Sequence, residues 1–348
     1  MADYGRGGGP SDRDRGGPST VVVDSRSPVF EAYGLRDLNG HRKKVNAVAW
    51  NCDGRRLASG SADRTIRVWT PEPHCNVTKT ERSDAEYASH SDAVSCIEWR
   101  PDHPDVMASC SNSKSDTNIR FHDARTNKQT AAVALSNEKN QCLSWSLDGF
   151  MLVVTTSADE LVFIDTRKMR KQRQWSMTGH MKMSEVRWGP TPSMLTLALD
   201  DGSLRISPLN KLDAPIWRLA SHASHTTCLA YSKDFKLLAS GGSDALVSLW
   251  DMEEVICLRT FCRPDQSVRA MSFSADGAWL AYVSEDGYGT IDVVSTGTGE
   301  LAATLNLKSY CECVAWSPAA QVLAFGGDDT KEGYGAVSLW APPKSAAS

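Results

Sequence analysis

From Val45 onward the chain alternates apolar and polar positions in short runs, and seven of these runs end on an aromatic side chain: Trp50, Trp99, Trp145, Trp188, Tyr231, Phe273 and Trp316. Successive aromatics stand 49, 46, 43, 43, 42 and 43 residues apart. The runs alternate with period two and are bounded by Gly, Asp, Ser or Pro, a pattern that predicts strands and not helices. The first unit reads Gly40-His41, Val45 to Trp50, a turn from Asn51 to Gly54, Arg56 to Ser59, a turn from Gly60 to Asp63, and Thr65 to Trp69. The fifth repeats it nearly position for position, with His222, Tyr231, Leu237 to Ser240, Asp244 and Trp250-Asp251.

A repeat of about 40–45 residues leaves no room for crossover helices and is the length of one four-stranded blade in a radial array. One blade cannot cover its own apolar faces, but neighbours stacked around a ring bury both faces of each. The predicted fold is therefore all-β, a seven-bladed β-propeller. Only eight residues follow Trp340, too few and too rich in Pro and Ala to supply the outer strand of the last blade. Glu31 to Leu38 lies just before the first Gly-His, where an outer strand belongs, so this N-terminal strand is expected to complete blade seven and hide its open edge. The expected organisation is a disordered Gly/Arg-rich tail over 1–28, the propeller over 29–341 and a short C-terminal tail over 342–348.

Composition changes this picture little. The 348 residues are 41% hydrophobic and 23% charged, which is ordinary for a chain with a sizeable core, and the net charge of -4 supplies no global attraction to nucleic acid or anionic membrane. With no run of eighteen apolar residues and no apolar stretch at the N-terminus, neither a membrane span nor a secretory signal is expected, which points to the cytosol or nucleus. The ten cysteines are scattered through strand-like segments without a C-x-x-C pair, so reduced thiols are expected and zinc is not.

A His, a Ser, an Asp and a Trp recur together: His41, Ser59, Asp63 and Trp69 in blade one, and His222, Ser240, Asp244 and Trp250 in blade five. Blade two keeps His90, Ser109 and Asp116, with Asn112 to Ser115 lengthening its turn. Three Ser-His-Asp sets invite a hydrolase reading. Repetition argues instead for a structural network in which Asp caps the turn and fixes the His tautomer while His bonds the hydroxyl, because catalysis needs one site and folding needs the same device in each blade. None of these Ser residues lies in a G-x-S-x-G elbow; phosphate-loop, H-E-x-x-H and dinucleotide signatures are also lacking, and His222-x-x-His225 has no third ligand. No catalytic residue, cofactor or metal is expected.

Two segments carry candidate surface chemistry. The N-terminal stretch with Arg6-Gly7-Gly8-Gly9 and Asp12-Arg13-Asp14-Arg15 is too polar to fold, and it is short and mixed in charge for an RNA-binding tail. Arg167, Lys168, Arg170, Lys171 and Arg173 form a denser basic run, expected between the third and fourth strands of blade three, which fits a phosphate-facing patch, an import signal or a solvated turn. Thr330 to Gly335 lengthens a turn of blade seven and fits either a recognition loop or a tolerated insertion.

The phased aromatic, His and Trp-Asp positions resemble the WD-repeat family over roughly Glu31 to Trp340. Within it, Val48 to Ser61, Ser243 to Asp251, Ser267 to Gly277, the ending Phe163-Ile164-Asp165 and the phrase Leu323 to Asp329 resemble the WD-repeat subunits of the THO complex. That resemblance implies a non-catalytic nuclear scaffold whose partners are other THO/TREX subunits, acting in transcription-coupled mRNA packaging and export, with at most indirect or weak RNA contact, no membrane and no small-molecule substrate. Blade four departs from the pattern: Gly179-His180 stands one residue closer to Trp188 than His41 does to Trp50, and Ile206-Ser207 replaces Trp-Asp. Blade six departs at Gly287 and Gly289. The alternative functions open to the same fold are a substrate receptor of a cullin-type ubiquitin ligase, a histone or peptide reader, and a propeller hydrolase whose site would need an unrepeated polar cluster.

Overall fold

The computed structural model describes residues 22–75, 82–135, 138–177, 181–285, 289–307, 309–328 and 335–344, and every regular element among them is a strand. These strands form seven antiparallel sheets, each a blade of a propeller. The inner strands are Val45–Trp50, Val94–Trp99, Asn140–Trp145, Met183–Trp188, Thr226–Tyr231, Val268–Phe273 and Cys311–Trp316, so each of the seven aromatics ends one of them. Each inner strand packs against the next around the circle, and the last packs against the first.

Closure uses the N-terminal segment. Gly34–Asn39 pairs antiparallel with Gly335–Ala341, setting Leu35 opposite Trp340 and Leu38 opposite Val337, and so becomes the outer strand of blade seven. Leu38 and Val337 are fully buried. Linking the two ends of the chain in one sheet makes opening of the ring cost the pairing and apolar burial of a whole strand.

The tail boundary drawn at residue 28 falls too late. Val22–Ser25 pairs with Leu301–Asn306 and gives blade six a fifth strand. A four-residue strand at a sheet edge carries little periodic signal of its own; its ladder partners lie more than 270 residues away. Residues 1–21 and 345–348 lie outside the described residues, as do Gly179-His180, Gly287 and 329–334, the last containing nearly all of the blade-seven turn singled out from sequence. Between the two N-terminal strands, Phe30 enters the seam of blades six and seven. Its ring lies 4.8 Å from that of Trp340 and 5.0 Å from those of Trp279 and Tyr33, measured between centroids.

Every inner strand carries a register shift near its start, where one extra residue is left unpaired: Asn46, Ser95, Gln141, Ser184, Thr227, Arg269 and Glu312. Such a bulge reverses the side-chain alternation. Cys311 and Cys313 show the effect, since positions two apart ordinarily share a face. Here Cys311 packs in the cluster between blades six and seven and Cys313 in the cluster between blades seven and one. All ten cysteines are free thiols.

The terminal aromatics also tie the blades together. The indole N–H of Trp50 donates to Ala315 O (3.1 Å), that of Trp99 to Ala49 O (2.9 Å), that of Trp145 to Glu98 O (3.2 Å) and that of Trp188 to Ser144 O (2.9 Å). The acceptor is always the residue before the aromatic of the preceding blade. Tyr231 reaches blade four by another route, its hydroxyl lying 2.7 Å from Thr196 Oγ1.

Candidate functional site: blade networks and the central channel

In blade one, His41 Nδ1 lies 3.0 Å from Asp63 Oδ2 and His41 Nε2 lies 2.8 Å from Ser59 Oγ, while the Trp69 indole N–H donates to the same hydroxyl at 2.9 Å. Blade five repeats the chain with His222, Asp244 (3.0 Å), Ser240 (3.0 Å) and Trp250 (3.3 Å). The order of donors follows from the indole, which can only donate: Trp to Ser, Ser to His Nε2, His Nδ1–H to Asp. Burial would raise the Asp63 carboxyl, but hydrogen bonds from His41, Thr65 and the Arg42 amide outweigh it and hold the group well below the carboxylate range.

Blade two holds His90 Nδ1 3.0 Å from Asp116 and His90 Nε2 2.8 Å from Ser109 Oγ. The place of the tryptophan is taken by His122, whose Nε2 lies 3.0 Å from Ser109 Oγ. Sequence reading passed over this histidine because its blade lacks a Trp-Asp ending. Its position six residues after Asp116, the spacing of Trp69 after Asp63, was the available signal. Ser59, Ser109 and Ser240 are fully buried and their hydroxyls are engaged on two sides, so no substrate carbonyl can reach them as it would a nucleophile. His225 is exposed whereas His222 faces Asp244, so the pair does not converge, and no His/Cys/Asp/Glu group among the described residues is arranged to hold a metal ion.

The basic run is only partly a turn. The outer strand of blade three is Arg170–Ser176, so Arg167 and Lys168 lie in the turn while Arg170, Lys171 and Arg173 lie on the exposed edge strand. The Arg167 guanidinium stacks over the Phe150 ring at 4.7 Å; that of Arg173 covers Phe163 at 4.5 Å and donates to Leu209 O at 2.7 Å. Lys171 is bonded to Gln174. Cations along an outer strand also keep it from pairing with another sheet edge.

The networks sit at the end of the ring where the inner strands begin. At the opposite end opens a central cavity of about 470 Å³, lined by the terminal aromatics of all seven blades and by residues of the turns that follow them, among them Pro101, Leu147, Lys233 and Pro318. Lys233 of blade five donates to Pro318 O of blade seven at 2.9 Å, along the rim. Deeper in, the position before each aromatic is Ala49, Glu98, Ser144, Arg187, Ala230, Ser272 or Ala315, small and uncharged in five blades. Glu98 of blade two and Arg187 of blade four face each other across Ser144 of blade three, with Arg187 Nη1 3.5 Å from Glu98 Oε1 and Nη2 2.5 Å from Glu185 Oε1. Glu98 Oε2 accepts the Trp145 amide at 2.9 Å, and Glu185 Oε2 accepts the Leu229 amide at 2.6 Å. Enclosure by protein pushes the Glu98 carboxyl up to about 7 against the opposing pull of Arg187. This is the unrepeated polar cluster that sequence reading did not find, and two charged residues in an otherwise small register were its only trace.

The chain matches the family described as "WD domain, G-beta repeat" over residues 34–70, 82–123, 213–251 and 255–288. THO complex subunit 3 of Arabidopsis thaliana is 34% identical over 88% of this chain and 93% of its own length. The chain belongs to the THO complex subunit 3 family. Other relatives of this WD-repeat propeller are less similar: the WD repeat-containing protein AAC3 of Dictyostelium discoideum is 28% identical over 73% of this chain and 56% of that protein. The intraflagellar transport protein 122 homolog of Mus musculus is 26% identical over 64% and 18%. Within the THO complex subunit 3 family member described here, the repeats matched fall on blades one, two, five and six. Blades three and four, which end Phe-Ile-Asp and Ile-Ser in place of Trp-Asp, fold as the others do.

Proposed function

We propose that this chain is the WD-repeat subunit of a THO complex: a rigid, non-catalytic propeller that binds other THO/TREX subunits in the nucleus and acts in transcription-coupled packaging and export of mRNA. The observation that carries this reading is the 34% identity that runs through 93% of a THO complex subunit 3 and so includes the irregular blades as well as the regular ones. The chemistry of the site supports it. The three Ser-His-Asp sets are sealed inside their blades, and a closed ring with interblade indole bonds is a stiff frame that loses little entropy when its loops and edges are bound. Blade three offers exposed cations at Lys168 and Arg170 as one candidate contact surface, alongside Arg167, Lys171 and Arg173.

A tagged full chain recovered from nuclease-treated nuclear extract, with the bound proteins identified by mass spectrometry, tests the reading. A stoichiometric set of THO subunits is the expected result. Recovery of a cullin adaptor, or of nothing stoichiometric, overturns it.

A further inference from the structure

Among the described residues seven large apolar side chains are exposed, and six of them lie on three consecutive blades: Phe150 and Met169 on blade three, Ile216 and Trp217 on blade four, Ile256 and Leu258 on blade five. Five of the six stand in the turn before an outer strand or in its first three residues, at the end of the ring where the third strand of a blade turns into the fourth. Phe150 joins them through Arg167, whose guanidinium stacks over its ring at 4.7 Å. Trp217 lies opposite Ile206 in its ladder, and Ile206 packs in one cluster with Trp250, Met252 and Val255 of blade five, so the exposed side chains of blades four and five border the same seam. An apolar patch left open in this way marks an interface.

The turns that flank the patch share one geometry and carry opposite charge. In blade three, Asp165 Oδ1 accepts the Arg167 and Lys168 amides at 3.0 and 3.1 Å; in blade five, Asp251 Oδ1 accepts the Glu253 and Glu254 amides at 2.8 and 3.1 Å. The next residues, Met169 and Val255, both take a positive φ, 48° and 57°. Arg167-Lys168 and Glu253-Glu254 therefore occupy equivalent places, one blade to either side of blade four, and all four side chains are exposed. A two-fold axis through blade four, relating two chains that meet by this rim, carries each cationic turn onto the acidic turn of the other chain and sets Ile216 and Trp217 against their own copies. Such an arrangement is the self-complementarity that an isologous contact needs. A nucleic acid meets repulsion at the Glu pair, and a uniformly acidic or basic segment is matched by one flank alone. We propose that the outer rim of blades three to five is a homodimer interface, occupied by a second copy of this chain.

Sedimentation velocity of the purified full chain from about 1 to 200 µM tests this, with a monomer–dimer equilibrium expected. Its Kd should rise about tenfold or more between ~0.05 and ~0.5 M salt, because exposed charge pairs are screened. The double variants Arg167→Glu/Lys168→Glu and Glu253→Lys/Glu254→Lys should each dimerise about tenfold or more weakly alone, since each sets like charges against like at both contacts. An equimolar mixture of the two should regain affinity, because opposed turns are then again of opposite sign, a recovery that a misfolded variant cannot show. Ile216→Arg, which brings two guanidinium groups together at the axis, should abolish the dimer, whereas Arg42→Glu, exposed at the opposite end of blade one, should leave it intact. A chain still monomeric at about 200 µM, a dimer indifferent to both charge reversals, or reversals that weaken it without recovery on mixing overturns the proposal. The outcome is independent of the THO reading, since recovery of THO subunits from extract neither requires nor supplies self-association.

Discussion

His122 Nε2 lies 3.0 Å from Ser109 Oγ, in the place that the Trp69 indole takes beside Ser59. The network fixes its tautomer. Ser109 must donate to His90 Nε2 so that His90 Nδ1–H can donate to Asp116, which leaves Ser109 only its lone pairs, and His122 must therefore carry its proton on Nε2. Its Nδ1 is buried without a hydrogen-bond partner among the described residues.

Protonating that nitrogen would place a cation in the core, so burial, then His90 and Arg120, hold His122 down to about 3. A histidine depressed in the folded state contributes stability above its unfolded value of about 6.5 that is lost as pH falls towards 3. Between pH 7 and pH 5 the loss from this residue is about 2 kcal/mol. His122→Gln keeps a donor for Ser109 and does not titrate. Urea unfolding at several pH values should show a shallower acid slope for this variant than for the wild type; parallel slopes would refute the assignment.

Glu98 runs the other way. Its carboxyl is raised from about 4.5 to about 7, so the stability it contributes is present below 4.5 and lost as pH rises through 7. Glu98→Gln removes the charge and keeps the acceptor for Trp145, so it should match the wild type near pH 4.5 and exceed it by about 1–2 kcal/mol at pH 8, the full linkage being reduced by the water in the channel. Thermal melts across that range decide, and a variant less stable at pH 8 would contradict the assignment.

The channel tryptophans are not equivalent. Trp188 donates to Ser144 O at 2.9 Å, whereas Trp316 Nε1 is buried with no partner among the described residues. Replacing each by Phe removes similar volume but only Trp188→Phe strands a carbonyl, so its cost should exceed that of Trp316→Phe by about 1 kcal/mol in chemical denaturation. Equal costs would show that the interblade bond adds nothing net.

Phe30 is 1% exposed and packs against Trp279, Trp316 and Trp340 at the closing seam. Phe30→Ala should cost about 3–5 kcal/mol. Because the seam joins the two ends of the ring, the loss is expected as one cooperative shift of the urea midpoint. Early release of blade six or seven, seen as a separate transition, would show that closure and blade stability are independent.

The framework is written in the repeats of the chain. Seven aromatic-ended strands, their spacing, the His–Ser–Asp sets and the outer strand that Gly34–Asn39 lends to blade seven are repeated features, and repetition makes them legible in one chain. The features that occur once were left to the tertiary structure. Val22–Ser25 became a strand only through partners more than 270 residues away. Three of the five basic residues of the run, Arg170, Lys171 and Arg173, lie on an edge strand because the ladder of blade three extends past its turn. Glu98 and Arg187 stand 89 positions apart, and nothing in their local sequence links blades two and four; the curvature of a closed ring brings both into one channel. Periodic burial is encoded locally in strand alternation, while the meeting of single charges depends on ring closure, which no local pattern records.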